Sequence, residues 1–341
     1  MTFTQENDFY TDEYEYYEEL FDPLAGGGRR ARRARARRGH GRKAKPQHTP
    51  KKSQQQIVAE LADPEGYEGG FNTTYQPSRH EAEWLLESLR SFYDRELITD
   101  VLALVKGGKE ANVYCCEADP AIGVDLLAAK VYRPQQFRAI RNDSLYRNGR
   151  DVLTATGRAV KKTDHRIMRA IGKKTRFGTQ VMQTSWLMHE YVTMEQLYQA
   201  GGTVPRPIAV SENAILMGYC GEAGWGAPTL NEVDLDPGEA APLFQDVLHN
   251  VELMLQHNLI HGDLSAYNIL YWAGEITIID FPQATNSLAN YDAYAILERD
   301  IARVCEYFAQ QGVQSEPAAI IDGLWHRYVM PDDTDIPEYE A

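Results

Sequence analysis

Cysteine is scarce in this 341-residue chain: Cys115, Cys116, Cys220 and Cys305 are the four, in or beside apolar runs and without metal-ligand spacing. That excludes a disulfide scaffold, argues against zinc, and reads as reduced core thiols of a cytoplasmic protein. No apolar run is long enough to span a bilayer, so no membrane partner is expected. The opening Met-Thr-Phe-Thr-Gln-Glu-Asn-Asp lacks the apolar stretch of a secretory signal. Charge of one sign is locally missing too. Residues 1–22 hold eight acids and no base, residues 29–52 hold twelve bases and no acid, and the rest of the chain carries −18 of a net −14. Such blocks do not fold alone. Residues 1–55 are expected to be a disordered acidic and then Arg-rich tail, with a linker over 56–78. Arg29–Lys52 reads either as a phosphate-binding segment for RNA or as a solvated tail paired with its acidic surroundings.

Residues 261–280, His-Gly-Asp-Leu-Ser-Ala-Tyr-Asn-Ile-Leu-Tyr-Trp-Ala-Gly-Glu-Ile-Thr-Ile-Ile-Asp, hold most of the chemistry. Strand-forming runs flank a Trp-Ala-Gly-Glu turn, which predicts a hairpin. A hairpin returns the residues before its first strand to the residues after its second. Asp263 and Asn268 are therefore expected near Asp280, three oxygen-bearing side chains in one cleft. Oxygen ligands suit magnesium, which takes few carboxylates and completes its shell with water and phosphate. An Asp, an Asn five residues on and a strand-borne Asp is the spacing of protein kinases.

Three upstream parts follow the same order. Lys106-Gly-Gly-Lys-Glu-Ala-Asn-Val-Tyr lies between apolar runs, and its glycines would let backbone amides approach a phosphate. Leu126-Leu-Ala-Ala-Lys130-Val-Tyr is an apolar run holding one charge, which needs a partner if buried; a lysine snorkelling from an edge strand is the alternative. Trp186–Tyr198 has apolar residues at 187, 191, 194, 197 and 198, which is helical spacing. Glu190 falls on that stripe and needs a cation there. Glu195 lies close to the stripe and competes, but Glu190 is preferred as the partner of Lys130.

Gly-Lys-Glu-Ala-Asn-Val-Tyr, Ala-Lys-Val-Tyr-Arg, Val-Pro-Arg-Pro-Ile, His-Gly-Asp-Leu-Ser-Ala-Tyr-Asn-Ile-Leu and Ile-Ile-Asp-Phe-Pro-Gln-Ala, taken together and in order, resemble the RIO family of atypical serine/threonine kinases over about residues 80–312. The resemblance implies an α+β, trimmed two-lobed kinase-like fold without the activation segment and peptide-binding platform. It implies ATP and magnesium as cofactors. Lys130 would contact the α and β phosphates, Glu190 would brace it, and Asp263 would be the catalytic acid. Asn268 and Asp280 would hold the metal. Gly108, Lys109 and Glu110 would place the triphosphate, and adenine would lie on Met217, Gly218 and Cys220. Asp280 would accept phosphate in the switch-like ATPase attributed to the family, so it too counts as catalytic. Where the family has Ser-Thr before Gly-Lys-Glu, this chain has Lys106-Gly107. His261 reads as structural rather than as a proton carrier.

The expected layout is an N-lobe over 79–220 with a flexible basic loop at about 146–183, a C-lobe over 221–312 and a C-terminal extension over 313–341. Helices are expected at 81–92, 242–256 and 291–311. The function read from this is an ATP- and magnesium-dependent protein kinase, itself included among its protein substrates, or a switch-like ATPase. Small-ribosomal-subunit maturation, through RNA or ribosome contacts of Arg29–Lys52, comes by family analogy. Two alternatives stand beside it. One is a ribosome-assembly or RNA-binding factor that senses nucleotide without turnover. The other is a small-molecule phosphotransferase.

Overall fold

The computed structural model describes residues 73–330 except 109, 134–149, 162, 174 and 237. The tail with Arg29–Lys52, and Lys109 of the glycine loop, lie outside the described residues.

The first lobe is built on helix α1 (Arg79–Asp94). It starts behind Ser78, which forms a capping box with Glu81. Strands β1 (Ile98–Lys106), β2 (Ala111–Ala118) and β3 (Leu126–Tyr132) follow. Then come α2 (His165–Gly172), α3 (Arg176–Gln199), β4 (Pro207–Val210) and β5 (Ala214–Gly218). The sheet is antiparallel in the order β1-β2-β3-β5-β4. Leu85, Leu89 and Phe92, one turn apart along α1, bury against Ile98, Tyr114, Leu127 and Leu216 on one face of that sheet. Residues 73–78, expected in a linker, instead lie against the sheet: Tyr75 donates its N–H to Val101 O at 2.8 Å. Much of the expected basic loop is helical, with Arg166, Arg169 and Lys173 exposed along and just after α2.

The buried face of α3 differs from the one its spacing suggests, and also takes in Trp186, Met188 and Thr193. Leu187, Glu190, Met194 and Leu197 are buried, Tyr191 is half-buried, and Tyr198 is 43% exposed. One residue past Leu197 the helix has turned about 100°, which carries Tyr198 off the packed face.

After short strands β6 (Gly221–Glu222) and β7 (Trp225–Gly226), the second lobe is organised around α4 (Ala240–Gln256). This helix begins two residues before the position the proline suggested. Phe244, Val247, Val251 and Leu255 face inward as expected, while Leu248 is only half-buried. Strand β8 (Leu259–Ile260) leads into the 261–268 loop and the hairpin β9 (Ile269–Trp272) and β10 (Glu275–Ile278). The hairpin turns on Ala273 and Gly274, at φ 53° and 88°, the two positive values a tight primed turn requires. Strand β11 (Thr285–Asn286) returns to pair with β8, and α5 (Ala293–Gln310) packs beside it. Helix α6 (Pro317–Tyr328), in the expected C-terminal extension, belongs to the same core through Ile321 and Leu324. Among the described residues no helix is long and apolar enough to cross a membrane.

Phe308 of α5 is fully buried, its ring 5.2 Å from Phe244 of α4. Phe308→Ala should cost about 3–5 kcal/mol of stability. Chemical denaturation would show this as a lower midpoint at unchanged slope.

Candidate active site

Lys130 lies in the middle of β3, flanked by buried alanine and valine, and is itself 9% exposed. Its ammonium donates to Glu190 Oε1 at 2.6 Å and to Asp280 Oδ1 at 2.5 Å. One cation thus ties the sheet, α3 and the end of the β9–β10 hairpin. The Tyr132 hydroxyl donates to the other Glu190 oxygen, and its ring lies 5.4 Å from Lys130 Nζ. Burial opposes the charge on Lys130, but Asp280 and Glu190 outweigh it and raise the pKa above the ordinary lysine value. Asp280 feels burial too, and Lys130 overcomes it, so its carboxyl falls below the usual range. Glu190 is the reverse case: burial exceeds the help of Lys130 and lifts its carboxyl to about 7. Glu195, the competing candidate, stays half-buried and is not part of this cluster.

Asp263 and Asn268 come to the same place. Asn268 Nδ2 donates to Asp263 O at 2.8 Å and to Asp263 Oδ2 at 3.3 Å. Asp280 has φ 72°, a left-handed backbone that Asp tolerates better than most residues. His261 is buried, donates from Nε2 to Ile279 O at 3.0 Å and accepts the Asp263 N–H at Nδ1 at 3.2 Å. Both ring nitrogens are used in holding the loop, a structural role.

Gly262 has φ 86°, and a Cβ there would sit 2.3 Å from Gln283 O. Only glycine lets the loop approach the 282–284 backbone this closely. Helix α5 grips that glycine: Asp300 Oδ2 accepts its N–H at 2.8 Å, and Arg299 donates to its carbonyl. Arg303, one turn on, donates to Asp263 Oδ1 at 2.9 Å. Arg150 donates to Pro282 O and Ala284 O. Sequence reasoning missed all four. Asp300 left a signal, a carboxylate among Ile296, Leu297, Ile301 and Val304 on the buried face of a helix. The three arginines left none.

At the glycine loop, Gly108 N–H donates to Asn112 Oδ1 at 3.3 Å; the buried Asn112 donates to the Tyr114 hydroxyl at 2.9 Å and accepts from Arg133 at 3.2 Å. Glu110 is half-buried, and its carbonyl accepts the Arg133 N–H. The segment between the lobes is pinned at both ends: Gly218 N–H donates to Arg206 O at 2.8 Å, and Cys220 O accepts from Ala227 N–H at 2.9 Å. Met217, on β5, is half-buried beside it.

Among the described residues no three His, Cys, Asp or Glu side chains gather as a metal centre. Lys130 takes Asp280 Oδ1 and Asn268 spends its amide nitrogen on Asp263, which leaves Asp280 Oδ2 and Asn268 Oδ1 as the oxygens that could meet a cation. Two hard oxygens and no soft donor fit magnesium, which draws the rest of its shell from water and phosphate.

A small antiparallel sheet over a helical lobe, with a strand lysine paired to a helix glutamate and facing a loop Asp, Asn and hairpin Asp, defines a protein-kinase-like fold. Residues 281–292 are all that separate Asp280 from α5, so the long platform of ordinary kinases has no counterpart here. The RIO domain family model matches residues 145–320, just over half of the chain, and the chain belongs to that family. The match contains Glu190, Asp263, Asn268 and Asp280 and begins after Lys130 and the glycine loop. Among curated relatives, the RIO-type serine/threonine-protein kinase Rio1 of Haloferax volcanii is 31% identical over 214 residues, 62% of this chain and 64% of that one. The serine/threonine-protein kinase RIO1 of Homo sapiens is 27% identical over 64% of this chain and 35% of its own. This chain therefore spans less than two thirds of either relative. The Rio2 kinase of Chaetomium thermophilum, solved as an ADP/Mg2+-phosphoaspartate complex, aligns with 82% of this chain and 76% of its own at 19% identity and a TM-score of 0.49.

Because burial raises the Glu190 carboxyl from its ordinary 4.5 to about 7, the folded chain is expected to hold an extra proton between those values. Stability then falls as pH rises through that window. Thermal melts of the wild type should lose ground to Glu190→Gln from pH 4.5 to 7. Parallel curves would mean that Glu190 is already ionised throughout.

Proposed function

We propose that the chain is an ATP- and magnesium-dependent phosphotransferase that acts on serine or threonine of proteins, itself included. The observation that carries this is the convergence of Lys130, Glu190 and Asp280 on one ion cluster, with Asp263 and Asn268 on the adjoining loop. Lys130 neutralises the α and β phosphates, and Glu190 keeps its ammonium aimed at them. Met217, Gly218 and Cys220 would receive the adenine through their backbone groups. Gly108, Lys109 and Glu110 would place the triphosphate. Asn268 and Asp280 would hold the magnesium, which would supply positive charge to the phosphate oxygens. Asp263 orients the acceptor hydroxyl and takes its proton as the oxygen bonds to the γ phosphorus and the bond to ADP breaks. The Arg303 ion pair restricts how the Asp263 carboxylate can turn.

The brevity of 281–292 supports a second reading, in which Asp280 itself receives the phosphoryl group and the protein works as a slow ATPase switch. In the cell the reading places the protein in the cytoplasm, with Arg29–Lys52 contacting RNA or a ribosomal subunit by charge.

Single-turnover incubation with γ-labelled ATP and magnesium separates these routes. Asp263→Ala should lower transfer about 10²- to 10⁴-fold while nucleotide still binds. Acid-stable label lost in both Asp263→Ala and Asp280→Asn marks the kinase route. Hydroxylamine-sensitive label lost in Asp280→Asn marks the switch. ATP binding with no turnover by the wild type would leave a nucleotide sensor.

A further inference from the structure

From Val152 to His189 the chain carries eight lysines and arginines and a single acid, Asp164, although the chain outside its two charged tail blocks is acidic. That acid is already spent: its Oδ1 accepts the Ile167 N–H at 3.3 Å and caps α2. Arg166, Arg169 and Lys173 stand three and four positions apart, so they share one side of α2 and its C-terminal end. All three are exposed, as are Arg158 and Lys161 just before the helix. Met168 and Phe177, 39% and 47% exposed, add apolar surface to the same pair of helices.

This basic face is anchored to the catalytic machinery. Ile167 and Ile171, turned away from the bases, are half-buried, and α2 packs on α3. At Gly178 a Cβ would sit 2.1 Å from Ala170 O, so the two helix backbones touch there. Upstream, Leu153 N–H donates to Ser185 Oγ at 2.9 Å, and Asp151 O accepts from His189 Nε2 at 2.7 Å. Arg150, at the start of that segment, holds the carbonyls of Pro282 and Ala284 just past Asp280. The bases are thereby tied to the helix that carries Glu190 and to the segment beyond Asp280. Along α3, Gly178 lies about 18 Å from Glu190 at a helical rise of about 1.5 Å per residue. An extended polypeptide covers that distance in about five or six residues.

We infer that the basic face of α2 is a docking surface for protein acceptors, which it recognises by a run of acidic residues at least about five positions from the serine or threonine. This rests on the protein-kinase reading given above. The short 281–292 segment offers an acceptor no platform beside Asp263, so a surface at a distance has to supply the binding that a groove would. Charge complementarity selects the occupant. Each exposed ion pair contributes little by itself, so the face reads a run of acids and not a single one. A surface for nucleic-acid phosphates would need neither the exposed Met168 and Phe177 nor the tie to the segment beyond Asp280.

Steady-state transfer by the full chain to two serine peptides, at saturating ATP and magnesium, tests this. One peptide carries glutamates from about the fifth residue outward on both sides of the serine; the other carries glutamines there. The glutamate peptide should show a KM about tenfold lower at similar kcat, with the gap closing as salt is raised. Combining Arg166→Glu, Arg169→Glu and Lys173→Glu should erase that gap, leave the glutamine peptide unchanged, and move the preference to a peptide with lysines in place of the glutamates. The unchanged glutamine peptide also shows that the variant folds. Equal KM values for the two peptides in the wild type overturn the inference and leave a solvated face. A glutamate preference that survives the combined variant overturns it too, because recognition then lies elsewhere. Single-stranded RNA that binds the wild type and not the variant, with no discrimination between peptides, overturns it in favour of a nucleic-acid surface. No transfer to either peptide, from a chain that binds ATP, sinks the protein-kinase reading itself, and the inference falls with it.

Discussion

The structure depends on one buried ammonium. Lys130 is the point at which the sheet, α3 and the hairpin of the second lobe meet, and its charge can exist there only because two carboxylates face it. Removing either acid would leave a buried charge undercompensated; removing the lysine would leave two acids facing each other. Such a cluster is a poor source of stability compared with apolar packing, but it fixes geometry. The carboxylate of Glu190, raised by burial, and that of Asp280, lowered by Lys130, are pushed in opposite directions by the same site. Divergent behaviour of neighbouring acids is what a site with distinct roles for each requires.

The second lobe builds the other half by gripping backbone. Helix α5 reaches the Gly262 peptide from both sides through Asp300 and Arg299 and reaches the Asp263 side chain through Arg303. His261 ties the same loop to Ile279, one residue before Asp280. The short 281–292 segment is folded back by the β8–β11 pair and by Arg150 rather than extended as a platform. A loop held this way needs no external group to set it, which fits the His-Gly-Asp sequence with no arginine before Asp263.

Much of this was legible in order along the chain. The hairpin, α1, α4 and the stripe of α3 follow from spacing that local physics enforces: alternate residues share a strand face, and third and fourth neighbours share a helix face. Lys130 and Glu190 stood out because each put a charge in an apolar run. Spacing failed at the margins, where Tyr198 turned to solvent, residues 165–172 and 176–183 formed helix instead of loop, and the start of α4 preceded its proline.

The sequence by itself determined that Asp263, Asn268 and Asp280 come together, because they lie within eighteen positions joined by a tight hairpin. It also determined that Lys130 needed an acid. Only the tertiary structure decided which acid, since Glu190 and Glu195 differ in burial and not in type. It alone brought Arg303 to Asp263 and Asp300 to Gly262, across 40 and 38 positions of chain. Contacts at that separation arise from packing of whole elements, and no local periodicity encodes them.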